Sequence, residues 1–148
     1  MVTPIVQAAD AVRLLTEVVE AHGHDYRYPP AVAAQQRGLL PTLTCHYIAD
    51  GAPSCLIGHA LVAAGYSVDD LQVLEHPDGT SWGADSLGDY LPGVTGAAET
   101  VFQAAQEVQD DAEPWGAALR AAEQALAALD EQDAVDEAFD AEHRRQDA

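Results

Sequence analysis

The chain has 148 residues, with 25 acidic side chains against six arginines and no lysine, giving a formal net charge of −19. One domain is expected at this length, and a hydrophobic content of 48% excludes wholesale disorder. The charge excludes nucleic-acid or anionic-lipid binding through a basic face, and no apolar run approaches the ~20 residues of a membrane span.

In chain order, Thr3-Pro4 reads as a hydroxyl N-cap followed by proline at the first helical position. Ile5, Ala8, Val12, Leu15 and Val19 recur at three- and four-residue steps, Leu14 and Val18 widen the stripe, and Gly23 suits a C-terminal cap. The spacing predicts a helix over 4–22. With Asp10 and Arg13 inside it, this segment reads as the start of the fold and not as an export signal, so the expected location is a cytosol with reduced thiols. Tyr26, Tyr28, Pro29 and Pro30 favour extended backbone, and 31–37 has room for a short helix.

Residues 43–48 alternate in polarity and read as a strand ended by the turn Asp50-Gly51. Ser54 is a good N-cap for 55–64, an almost wholly apolar segment closed by Gly65. A helix apolar on all sides is buried, so this one is expected at the centre. Ser67-Val68-Asp69-Asp70 has capping-box spacing with Asp in place of Glu, which predicts a short helix to about Leu74. A hairpin around Pro77-Asp78-Gly79, pairing 72–75 with 80–82, competes with it. The glycine-rich stretch 82–96 reads as loop with one helical turn near 86–91.

Ala98, Val101, Ala105 and Val108 then form a helical stripe with Phe102 beside it. Asp110 and Asp111 are expected in the loop beyond, because acids sit badly at a helix C-terminus. Pro114 restarts a helix in which Trp115, Leu119, Ala122, Leu126 and Leu129 recur at steps of four and three, a coiled-coil-like seam. The seam breaks at Asp133 and Asp136, with Val135 and Phe139 extending an apolar edge. Two such helices joined by a short loop make an αα-hairpin. The fold expected is mainly α with a small β element (α+β). One globular domain covers 1–130, with a buried central helix at 55–64 and an antiparallel C-terminal helical pair. An acidic tail, frayed or disordered, covers 131–148.

Cys45-His46-Tyr47, Gly51-Ala52-Pro53-Ser54-Cys55-Leu56-Ile57-Gly58-His59-Ala60-Leu61 and Gly65 resemble a group of small proteins from actinobacterial phages and related mobile elements, with a C-x-Y-x3-G-x-P-S-C-[LI]-[IV]-G core. Pro114-Trp115-Gly116-Ala117-Ala118-Leu119-Arg120 is similar to a second block in the same proteins. These stretches cover under a fifth of the chain. The resemblance implies a phage accessory gene expressed in a GC-rich bacterial host, and no particular reaction.

Three constellations carry chemistry. Cys55 and His59 lie four residues apart on a predicted helix and share a face. Cys45 and His46 lie on the preceding strand but point to opposite faces, so at most one of them joins Cys55 and His59. Zinc needs a fourth ligand, from His22, His24, His76 or a carboxylate; the plain alternative is two buried thiols acting as small hydrophobes. Secondly, Cys55 at a helix N-terminus has the setting of a nucleophile, with His59 as base and Asp50 or Asp85 as orienter. Its neighbours Leu56, Ile57, Leu61 and Val62 instead indicate burial, which raises a thiol pKa. Thirdly, Asp130, Glu131, Asp133, Asp136, Glu137 and Asp140 concentrate acid at the C-terminus, while no arginine or lysine lies between Gly38 and Leu119. Carboxylates along a rigid helix imitate the field of DNA; simple solubility is the competing use.

Asp69-Asp70 and Asp110-Asp111 lack the ligand spacing of an EF-hand. The sequence also has no P-loop, no G-x-G-x-x-G, no H-E-x-x-H and no G-x-S-x-G. The favoured reading is a non-enzymatic accessory protein without a cofactor that binds a host protein with a basic surface, and neither nucleic acid nor membrane directly. The alternative is a zinc protein or cysteine-dependent enzyme centred on Cys45, Cys55 and His59. The seam Trp115, Leu119, Leu126 and Leu129 either packs within the domain, the favoured use, or makes a homodimer.

Overall fold

The computed structural model describes residues 4–38, 46–77 and 80–146. It contains the helices α1 (Ala8–His22), α2 (Pro29–Arg37), α3 (Leu56–Ala64), α4 (Val68–Leu71), α5 (Leu87–Tyr90), α6 (Gly96–Asp110) and α7 (Trp115–Gln146). Two short strands, β1 (Ile48–Ala49) and β2 (Ala52–Pro53), pair antiparallel. The architecture is thus mainly α with a small β element. No helix among the described residues is long and apolar enough to cross a membrane.

α1 buries Ala11, Leu14, Leu15, Val18 and Val19 against α3, α6 and α7. Its expected start at Pro4 is corrected by a long-range contact. The Val6 N–H bonds Gly93 O at 2.8 Å and the Thr95 N–H bonds Val6 O at 3.1 Å, which holds the first described residues extended. The helix opens after Gln7, whose backbone N–H is taken by Asp10 Oδ2 at 3.0 Å in a capping box.

α3 is the central helix: Leu56, Ile57, Ala60 and Leu61 have no exposed surface. Its cap is Cys55, not Ser54, and Cys55 Sγ accepts from the Gly58 N–H at 3.3 Å. The β1–β2 turn places Asp50 at φ 53° and Gly51 at φ 76°, the double positive φ of a tight hairpin whose twist matches its strands. The hairpin lays its backbone directly on α3. A Cβ added to Gly58 would stand 2.0 Å from Tyr47 O, so only glycine permits this approach. Of the segment predicted as strand over 43–48, residues 43–45 lie outside the described residues, as do Thr3, Asp78 and Gly79; His46 and Tyr47 are irregular, their N–H groups bonded to the Tyr28 hydroxyl and to Glu75, and only Ile48 is in a strand.

The Ser67 box forms as expected: Ser67 Oγ accepts from Asp70 N–H at 3.0 Å, and Asp70 Oδ2 from Ser67 N–H at 2.9 Å. The short helix and the competing hairpin coexist. α4 passes into a 3-10 turn, Gln72–Leu74, after which Glu75 bridges to Ser81 and the Trp82 N–H bonds Leu74 O at 2.9 Å. The helical turn near 86–91 divides into a 3-10 turn, Ala84–Ser86, and α5.

α6 runs on through Asp110, which was expected in the loop, and this aspartate is only 9% exposed. The end of α6 is clamped to the start of α3, because Gln109 Oε1 accepts from the Leu56 N–H at 2.7 Å. The positive φ of 64° at Ala112 then turns the chain into α7. α6 and α7 form the C-terminal helical pair. Trp115, Leu119 and Ala122 are buried, and Leu126 and Leu129 pack against the same core. The seam is therefore used within the chain. The helix α7 itself runs on past Asp133 to Gln146.

Candidate functional site

Cys55 is fully buried, its sulfur engaged as the cap of α3. His59, one turn further on, packs its ring against His22 (centroids 4.7 Å) and Trp115 (6.0 Å). Burial, reinforced by the neighbouring His22, pushes the His59 pKa down. His22 donates Nδ1–H to Val18 O at 3.0 Å, and Tyr26 closes on Trp115 at 4.5 Å. His24 lies on the other side, its Nδ1 within 2.9 Å of where a Gly116 Cβ would be. Trp115 thus sits beneath an aromatic and histidine cap, its Nε1–H buried with no acceptor among the described residues. Among those residues no three His, Cys, Asp or Glu side chains are grouped to hold a metal ion.

His46 faces elsewhere. Its Nδ1–H donates to Glu75 Oε2 at 3.1 Å, and its side chain is 34% exposed. Glu75 also takes the Ser81 hydroxyl on Oε2 and the Tyr47 N–H on Oε1 at 2.8 Å. The sequence reading places Glu75 and Ser81 in the competing hairpin but at no site: Glu75 lies 29 residues from His46, so no local spacing announces that pair. The proposed hairpin around residues 77–79 was the available signal. Below them, Tyr47 donates its hydroxyl to Trp82 O at 2.6 Å and accepts from Gln106 Nε2 at 3.0 Å. Gln106 Oε1 accepts from the Ala84 N–H at 2.8 Å. These bonds fasten the hairpin, the 75–84 segment and α6 together, which is a structural task.

Two surface features remain without such a task. One is an aromatic ladder: Trp82 stacks on Tyr90 (5.2 Å, 23° between planes) and tilts on His76 (4.6 Å). Beside it, Asp85, Glu99, Gln103 and Glu107 line an open cleft of about 340 Å³ that reaches Ala125 of α7. The other is the distal part of α7. Asp130 lies at the rim of a second cleft beside Ala97, near the start of α6, and residues 131–139 are all exposed. Asp130, Glu131, Asp133, Asp136 and Glu137 therefore stand on a helical arm; Asp140 belongs to the same helix. The heptad positions occupied by Trp115, Leu119, Ala122, Leu126 and Leu129 are continued by Asp133, Asp136 and Asp140, so the apolar seam gives way to acids where α7 passes the start of α6. Val135 and Phe139, 62% and 59% exposed, lie on a different side of the arm. For Asp130, Glu131, Asp133, Asp136 and Glu137 no ion pair is found among the described residues; Asp136 Oδ1 accepts from Gln132 Nε2 at 2.9 Å.

No protein-family model, no curated protein and no solved structure matches the chain.

Proposed function

We propose that this is a non-enzymatic binding protein that presents the acidic arm of α7 to a basic, nucleic-acid-binding surface of a partner protein, in a bacterial cytoplasm and as a phage-type accessory factor. The linear charge density of the arm carries this reading. From Asp130 to Asp140 six carboxylates fall within eleven residues. At a rise of ~1.5 Å per residue that is one charge per ~3 Å of axis. A nucleic-acid strand carries one per ~3.4 Å. The surrounding chain supports the same use, since its net charge of −19 steers basic surfaces toward it.

Displacement of duplex DNA from a basic DNA-binding protein, at about 0.15 M salt, tests the proposal. Addition of this protein releases the DNA, and a variant with amides at positions 130, 131, 133, 136, 137 and 140 does not. Equal potency of the two proteins would refute the role of the arm.

A further inference from the structure

We propose that Trp82, partly exposed and stacked on Tyr90 beside the acidic cleft of Asp85, Glu99 and Glu107, is the seat for an arginine side chain of the basic partner. This rests on the function proposed above and locates the part of the body that the partner grips.

Trp82 is 38% exposed, whereas the other tryptophan, Trp115, is fully buried. Its ring is braced by Tyr90 and His76 and does not depend on a partner for its position. Its backbone is tied down independently, with the N–H on Leu74 O and the carbonyl accepting from Tyr47 Oη. An aromatic face fixed in this way attracts a cation through its quadrupole, and a planar guanidinium stacks on it where an ammonium cannot.

The local field has one sign. No arginine or lysine occurs from Gly38 to Leu119, and Asp85 and Asp89 are exposed. Asp85 links the ladder to the cleft: its Oδ1 lies 2.7 Å from where a Cβ on Gly83, next to Trp82, would be, and it also lines the cleft. The other cleft carboxylates are held in place. Glu99 Oε2 accepts from the Gly88 N–H at 2.9 Å, and Glu107 Oε1 from Gln103 Nε2 at 3.2 Å. A guanidinium on Trp82 would thus have the exposed Asp85 carboxylate close by, and the next basic side chain of the same segment would reach Glu99 or Glu107.

Hexaarginine and hexalysine carry equal charge and separate stacking from charge capture. With the native protein, hexaarginine binds about fivefold tighter than hexalysine at about 0.15 M salt and quenches Trp82 fluorescence. In Trp82→Leu and Tyr90→Leu, measured calorimetrically, the preference for arginine vanishes. In the arm variant both peptides weaken alike and the preference stays. Equal affinity for the two peptides, or a preference that survives Trp82→Leu, overturns the arginine seat and leaves the arm reading intact. A retained preference in a protein that fails to displace DNA overturns the arm reading alone.

Discussion

Around Gly58 and beyond Leu129 the same chain treats polar groups in opposite ways. Near Gly58, Tyr47, Glu75 and Gln106 each hold two or more partners and Gln109 holds the Leu56 N–H, tying together elements far apart in sequence. Beyond Leu129, the carboxylates stand in water along a helix that has run past its neighbour. Buried polar groups are costly unless paired, so the first region is intolerant of change. Exposed charges contribute little to stability, so the second is free to serve recognition. The contrast implies that folding and binding are mutated separately.

The largest effect is expected at the backbone contact. Gly58→Ala drives a Cβ into Tyr47 O and costs about 3 kcal/mol or more, read as a lowered midpoint in urea unfolding. Next comes Asp110. Burial raises its pKa to about 6 from an ordinary 3.8, against the hydrogen bond from Gln109 and with help from Asp111 and Glu107. Folding therefore favours its protonated form, and this contribution is complete below about pH 4 and lost as the pH rises through about 6. Asp110→Asn is expected to match the native protein at pH 4 and to exceed it by up to about 3 kcal/mol at pH 8; parallel curves across that range would refute this.

Glu75→Ala strands the Tyr47 N–H and the Ser81 hydroxyl and is expected to cost about 2 kcal/mol, again in urea. The smallest change belongs to the arm. Replacing its carboxylates by amides shifts stability by under about 0.5 kcal/mol, and it flattens the rise of stability with added salt that self-repulsion gives the native chain. A large loss of stability in that variant would erase the distinction between the two regions.

Much of the helical framework was legible because its signals are local. The Ser67 box, the apolar run of α3 closed by Gly65, and the four-three seam from Trp115 each lie within a few turns of chain. What escaped was decided at a distance. Thr3-Pro4 carries a sound helix-start signal, yet the pairing of Val6 with Gly93 and Thr95 outweighs it. Asp110 has the look of a loop acid, and only the docking of α6 on α3 buries it. Cys55 looks like the first residue of a helix, and its sulfur proves to be the cap. At the candidate site, the acids of the arm were readable as composition. The stacking of Trp82 on Tyr90 and the reach of Asp85 toward both ladder and cleft arise from folding.

α7 is also a mechanical object. Its 32 residues form one uninterrupted rod, roughly 48 Å long at ~1.5 Å per residue. One end is wedged under the rings of His22, Tyr26 and His59 at Trp115, and residues 131–139 are exposed. A pull on the arm acts as torque about a fulcrum near Leu129, and the inner half of the rod delivers that load to α6 and α1, the helices it packs against.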